Sequence, residues 1–296
     1  MDTQLLKAFL TVVETGSFSV AAQQLHITQP AVSKRIALLE QQLNCTLFDR
    51  IARNINLTEA GKALRPKAEV ILREIEEAET LITNLSGNIG GELKLTTSHH
   101  IGLHHLPKYL KTFADQFPQV KLNLDFKDSE IALQQILSGE TELAVVTLAS
   151  QPHPNIEETQ VWQDPLEFVC APEHPIAQIT DLKLKDLSKY PAILPELNTY
   201  TTQLVSQLFA SKKLPLELRM ATNYLETIKM MVSIGLGWSL LPKTITLDEN
   251  LKILTLNSVQ VHRRLGLIHH KERTLSNASR AFLKLFKETG KSNVLL

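Results

Sequence analysis

The chain has 296 residues, 43% hydrophobic and 21% charged, with 31 basic side chains against 31 acidic ones. That is ordinary globular composition, long enough for two or three folding units with real cores. It contains no apolar run of transmembrane length, and Met1 leads directly into an amphipathic segment, so the expectation is a cytoplasmic protein with no membrane partner. Cys45 and Cys170 fall in what read as different domains, which predicts buried, inert thiols rather than a disulfide.

Leu5, Leu6, Phe9, Val12 and Val13 mark a first amphipathic helix, with Gly16 as its stop. Ser17 is a candidate N-cap for a second, in which Ala21, Ala22 and Leu25 share a face. His26 and Ile27 make a turn. Thr28 then offers a hydroxyl cap, and Pro30 in the next first turn costs little because its missing N–H would be unpaired anyway. In the helix that follows, Val32, Ile36, Leu39 and Leu43 share an apolar back. Its front carries Gln29, Pro30, Ser33 and Lys34, with Arg35 beside them, a short polar surface whose donors suit base edges in a DNA groove. Arg50 and Arg53 lie around a turn between two short extended runs, as in a wing that sets arginines against phosphates or in a minor groove. Residues 1 to 65 hold seven basic and five acidic side chains, a net of only +2, so useful affinity requires two copies on one duplex.

From the candidate cap Thr58 a long helix is predicted, with Leu64, Ala68, Ile71, Ile75, Ala78, Ile82 and Leu85 stepping four and three residues in alternation. Such a heptad seam suits pairing with a second copy of the chain. Pro66 is placed to kink it, and Ser86, Gly87, Asn88, Gly90 and Gly91 to end it.

Beyond residue 91 strands alternate with helices. ELKLTTS, VKLNLDF, ELAVVTL, LEFVCA, AILP, ELRMAT, LKILTL and RLGLIHH read as strands, with helical runs at 105 to 116, 129 to 138, 200 to 213, 224 to 235 and 276 to 288. This predicts an α/β architecture of largely parallel sheets with room for two lobes. Ligands in such folds sit at strand C-termini near helix starts. Two places qualify: Thr97, Ser98, His99 and His100 after the first strand, and Asn198, Thr199, Tyr200 and Thr201 after AILP. A carboxylate bridging them would gain hydrogen bonds from both lobes.

With AAQQLHITQPAVSKRIALLEQQLNCTLFDR, LTEAG at 57 to 61, FPQVKLNL, LSGETELAVVT, PLEFVCAPEHPIA and NYLETIKMMVSIGLGWSLLP in view, the whole chain resembles the LysR-type transcriptional regulators. The resemblance implies a winged helix-turn-helix over 1–58, here expected to be essentially all-α, a linker and dimerisation helix over 59–90, and an α/β effector domain over 91–296. That domain would have two lobes like type II periplasmic binding proteins, lobe I at 91–161 and 267–296 and lobe II at 162–266. Double-stranded DNA, a small-molecule effector and a homo-oligomer, a dimer through the linker helix assembling to a tetramer, are the implied partners, with RNA polymerase at the promoter. Gln29, Pro30, Ser33 and Lys34 match the recognition-helix face and Arg50 and Arg53 the wing; Ser98 and Thr199 correspond to effector-pocket positions, with Thr147 close to a third. The chain departs from the pattern at HHIGLHH, where the family is less polar.

His99, His100, His104 and His105 place four imidazoles within seven residues. They offer an alternative, a metal- or pH-responsive regulator, with His269 and His270 joining only through tertiary contact. No nearby cysteine or patterned carboxylate completes a metal site, and the histidines better suit hydrogen bonds to an anionic effector. No nucleophile with its base, no carboxylate pair and no phosphate-cradling glycine loop is present, so neither an enzyme nor a resident cofactor is expected.

Overall fold

The computed structural model describes residues 2–51, 54–85, 87–247, 249–256 and 259–293. The chain divides into two compact units, Met1–Ser86 and Gly87–Leu296. No helix of the described residues is long and apolar enough to cross a membrane.

In the first unit α1 (Thr3–Thr15) is capped by Asp2, whose carboxylate accepts from the Gln4 N–H at 3.0 Å, and is ended by Gly16 in the left-handed region. Ser17 caps α2 (Phe18–Gln24) by accepting from the Val20 N–H at 3.4 Å. Extended Thr28 leads into α3 (Gln29–Leu43), but its hydroxyl makes no capping bond; extended backbone and Pro30 in the first turn define that start. Leu6, Phe9, Val12, Ala21, Val32, Ile36 and Leu39 close the core between the three helices. Leu43, expected on the same back, lies on the last turn and is 38% exposed. The unit is not all-α, because β1 (Phe48–Ile51) and β2 (Asn54–Leu57) form an antiparallel hairpin.

Thr58 then caps α4 (Glu59–Leu85): its hydroxyl accepts from the Gly61 N–H at 3.0 Å and donates to the Thr46 carbonyl. A Cβ on Gly61 would sit 2.3 Å from the Leu47 carbonyl oxygen, so LTEAG needs a glycine where the helix passes the strand. The helix runs on past Pro66. Along the heptad seam Ala68 is buried in the first unit's core and Leu64 is half-buried, whereas Ile71 and Ile82 are 37% and 70% exposed. Leu85's side chain lies outside the described residues, as do Ser86 and Arg53.

The second unit continues with β3 (Gly91–Thr97), α5 (His99–His104), α6 (Pro107–Gln116), β4 (Val120–Phe126), α7 (Ser129–Ser138), β5 (Leu143–Thr147), β6 (Ile156–Cys170), α8 (Leu184–Leu187), β7 (Ala192–Leu194), α9 (Tyr200–Ser211), β8 (Leu218–Ala221), α10 (Leu225–Ser233), β9 (Ser239–Pro242), α11 (Lys243–Thr246), β10 (Lys252–Leu254), β11 (Val261–His270) and α12 (Asn277–Asn293). The main sheet has the order β10-β6-β11-β5-β3-β4, with β9 also on β6, and β7 pairs β8. It is mixed rather than largely parallel: β3 is parallel to β4 and β5, while β5, β6, β9, β10 and β11 meet in antiparallel pairs. The reason is β6, fifteen residues long, which absorbs both LEFVCA and the segment before it and turns the sheet's direction. SLLP, which follows the helical run at 224 to 235 and is absent from the strands read in the sequence, supplies β9.

Two lobes follow from two cores. Leu93, Phe113, Leu143, Leu267 and Phe282 centre one, and Phe168, Leu194, Phe209, Trp238 and Leu240 the other. Strands β6 and β11 run through both, and their register slips at Leu265/Gly266, where Val161 is the extra residue. Cys170 is buried, with its thiol pushed up to about 11 by burial, whereas Cys45 is only half-buried; both are free.

A Cβ on Gly266 would lie 2.4 Å from the Thr159 carbonyl oxygen and 2.9 Å from Gln160 Cα, both backbone atoms held in the paired strand. Gly266→Ala is therefore expected to cost about 1–3 kcal/mol, lowering the unit's melting temperature by several degrees in a circular dichroism melt. An unchanged melting temperature would show that the crossing has room for a methyl group.

Candidate functional site

In the first unit the start of α3 presents a compact polar face. Gln29, Pro30 and Lys34 are exposed, Ser33 and Arg35 half-buried, and Gln29 Nε2 donates to Ser33 Oγ at 3.0 Å. The apolar back of the helix is locked into the core, so this face is held rigidly outward. An amide, a hydroxyl and an ammonium within two turns supply the donors that base edges and phosphates accept. Arg50 gives β1 its backbone opposite Ile55, but its side chain, like all of Arg53, lies outside the described residues.

In the second unit the two strand–helix junctions converge. Ser98, His99, His100, Thr147, Thr199, Tyr200 and Thr201 all line one cavity of about 350 Å³ between the lobes. Ser98 caps α5 through its backbone alone, so its hydroxyl is not spent on the helix. Thr199 caps α9 by accepting from the Thr202 N–H at 3.3 Å and donates to the Glu196 carbonyl at 2.7 Å. Along its wall, His99 stacks on Phe126 at 4.9 Å between centroids and lies tilted 5.7 Å from Tyr224.

The floor of the cavity is a buried ion pair. Arg263 on β11 and Asp164 on β6 are direct cross-strand partners, only 8% and 1% exposed. Arg263 donates through Nε and Nη2 to Asp164 Oδ2, and through Nη1 to Thr201 Oγ1 at 3.2 Å. Thr201 thus accepts a charge-assisted bond and retains its own proton to donate. His100 Nε2 lies 3.9 Å from Asp164 Oδ2 and 3.4 Å from Thr244 Oγ1, while its Nδ1 has no partner. Burial first, then the charges of Arg263, His105 and His104, lower the His100 pKa from 6.5 to about 2. Burial likewise lowers that of His105, against the pull of Asp164. His100 is therefore neutral across the range in which an unperturbed imidazole would switch.

Two hydrogen bonds span the cleft. Glu130 on α7 accepts from the Tyr200 N–H at 2.6 Å, so a carboxylate does bridge to the start of α9, but it belongs to the protein. Asp128 accepts from Asn223 Nδ2 at 2.7 Å, and Asn223 Oδ1 accepts from the Glu196 N–H at 2.9 Å. Burial raises the Glu130 carboxyl above its ordinary range despite the Tyr200 bond.

Of the histidine cluster, His100 and His105 come together with Asp164, their ligand atoms within 4.8 Å of one another. His99 and exposed His104 are not in that group, and His269 and His270 pair with Glu157 and Ile156 in β11. A divalent cation there would share Asp164 with a guanidinium already bound to it, which opposes a metal electrostatically. Arg263, Asp164, Asp128, Glu130 and Asn223 went unread in the sequence. The one available signal was Arg263 in HRRLGL, a charge beside a strand otherwise fit for burial.

The unfolded chain protonates His100 near pH 6.5 and the folded chain only near 2, so stability falls as pH drops below 6.5. The expected slope from this group is about 1.4 kcal/mol per pH unit. His105 adds to it, while Glu130, whose folded pKa is raised, offsets part of it just above 4.5. His100→Asn should lose markedly less stability than the parent between pH 6.5 and 5 in urea melts; parallel losses would remove His100 as the cause.

The model of the LysR substrate binding domain matches residues 86–291, and that of the bacterial regulatory helix-turn-helix protein, lysR family, matches residues 3–62. HTH-type transcriptional regulator YwqM of Bacillus subtilis (strain 168) is 30% identical over 298 residues, spanning 98% of this chain and 100% of its own. An HTH-type transcriptional regulator from the ibpB-leuC intergenic region of Azotobacter vinelandii is 59% identical over 107 residues, 36% of this chain and 74% of its own. Among solved structures, full-length CbnR complexed with its target DNA matches with a TM-score of 0.69 and 20% identity, covering 99% of each chain.

Proposed function

The chain belongs to the LysR family of transcriptional regulators, and from that premise we propose a ligand-responsive, sequence-specific DNA-binding protein that acts at a promoter. It is a regulator of transcription and not an enzyme. The α3 face, Gln29, Pro30, Ser33, Lys34 and Arg35, reads the major groove, with Arg50 and Arg53 on the flanking backbone. Two copies engage one operator, joined through the apolar residues α4 leaves exposed, Ile71 and Ile82 among them, and two dimers make a tetramer. On promoter DNA the assembly meets RNA polymerase, in the cytoplasm and at the nucleoid. The DNA complex of similarly folded CbnR is in keeping with this reading.

A small molecule with an anionic group controls the assembly from between the lobes. The observation that carries this is the cavity floor, where Thr201 accepts from buried Arg263 and keeps a proton to donate into a space also lined by Ser98. A carboxylate there gains a donor polarised by a guanidinium whose own charge is balanced.

Lys34→Ala should weaken operator binding at all sequences and lower the salt slope by about 1, whereas Ser33→Ala should chiefly relax discrimination between operators. Titrations over several salt concentrations check both, and unaltered affinity and specificity in the two variants would remove α3 as the reader.

Ser98→Ala should fold and bind operator normally, because that hydroxyl makes no capping bond. Its effector concentration for half-maximal response in a reporter strain is expected to rise at least about tenfold, the loss of one charge-assisted hydrogen bond. An unshifted response would exclude Ser98 from the pocket.

A further inference from the structure

The inter-lobe cleft is acidic, which an effector with only negative charge does not explain. Asp128, Glu130, Glu196 and Glu226 all line it. None of them takes part in an ion pair among the described residues. The two cations on the same wall are already answered: Lys127 lies 3.6 Å from Asp125, and Arg263 is bound to Asp164.

Two donors that an anion would seek at the rim of the second lobe are also taken, which leaves the Thr201 hydroxyl at the floor. Glu130 holds the Tyr200 N–H at the start of α9, and Asp128 holds Asn223 Nδ2. What the cleft leaves over is acceptor capacity, since each ionised carboxylate has about four lone-pair positions. His100 adds to it from the cavity wall. It is 5% exposed, and the Asp164 carboxylate near Nε2 favours the proton on that nitrogen, which makes the unpartnered Nδ1 a bare acceptor. Phe126 and Tyr224, 40% and 60% exposed, flank this wall with aromatic faces that attract cations.

We propose that the effector is a small zwitterion of the amino-acid class, with its ammonium among the rim carboxylates Asp128, Glu130, Glu196 and Glu226 and its carboxylate on Thr201 at the floor. This rests on the reading of the cleft as the effector site and adds the charge its ligand must carry. A cavity of about 350 Å³ is of the size that takes such a molecule. The ammonium balances carboxylates that form no ion pair among the described residues, and those carboxylates come from both lobes, Asp128 and Glu130 from one and Glu196 and Glu226 from the other, so binding favours the closed arrangement.

The test compares amino acids with their 2-oxo acid and decarboxylated amine counterparts on the full chain, by thermal shift and then isothermal titration. One or more amino acids should raise the melting temperature by several degrees, with the matching 2-oxo acid and amine each at least tenfold weaker. Glu226→Gln, at an exposed position, should fold normally and lose at least threefold in affinity for the same amino acid. Glu130→Gln should lose more, with circular dichroism reporting whether it folds.

A 2-oxo acid binding as well as its amino acid, with Ser98→Ala weakening both, would overturn the zwitterion while leaving the cleft in place. Amino-acid binding that neither Glu→Gln variant nor Ser98→Ala alters would overturn the zwitterion and the cleft together. No stabilisation by any amino acid would also overturn the proposal, and the Ser98→Ala reporter response would then decide the cleft separately.

Discussion

The effector unit is organised around one buried ion pair on the two strands its lobes share. Asp164 and Arg263 face each other across β6 and β11, three residues beyond the slip at Val161 and Gly266. Neither charge has water to fall back on, so losing either partner would strand the other at a cost of about 3–5 kcal/mol. Their geometry is therefore strict. That strictness extends outward: Thr201 at the start of α9 is held by the guanidinium, and His100 at the start of α5 packs against the carboxylate. The two junctions that line the cleft are thus referred to one fixed point instead of drifting with their own lobes.

The opposite side of the cleft is held differently. Glu130 to Tyr200 and Asp128 to Asn223 are side-chain contacts between groups that water can also satisfy, since all but the backbone N–H lie on partly exposed residues. Each such bond is worth about 0.5–1.5 kcal/mol net, or somewhat more with a charged acceptor. A rigid buried junction facing weak exchangeable bonds is the arrangement of a hinge with a clasp. A ligand that replaces the clasp with its own bonds shifts the closed population only by its preference for that state.

The legible parts of this molecule were those written in local pattern. The helix-turn-helix followed from the spacing of Val32, Ile36 and Leu39 and the punctuation of Gly16, Ser17 and Pro30, and the junction residues Ser98 and Thr199 followed from where strands give way to helices. Antiparallel β6 was half missed, because Glu157, Glu158 and Gln160 broke the apolar run in a segment paired to β11 on one side, with β9 and β10 joining only from Leu166 on. The cavity floor was not legible. Asp164 and Arg263 are 99 residues apart, and nothing in either neighbourhood says that strand pairing will set them opposite. Glu130 and Tyr200 are 70 apart, and Glu130 alone reads as an ordinary first-turn acid of a helix.

The distinction matters for how charge is interpreted. Counted along the chain, Arg263 and Lys127 make the pocket look prepared for an anion, and the polar junctions reinforce that impression. Counted in space, both cations are paired and the cleft carboxylates form no ion pair among the described residues, so the field in the cleft has the opposite sign. The DNA-reading unit shows the same lesson in reverse. Its net charge of +2 over residues 1 to 65 is modest, yet the exposed cation Lys34 stands on the outward face of a helix fixed from behind by Val32 and Ile36. A few charges held rigidly at one face direct binding more sharply than a larger sum spread over a surface, and with exposed apolar residues along α4 a second copy doubles that face without adding charge elsewhere.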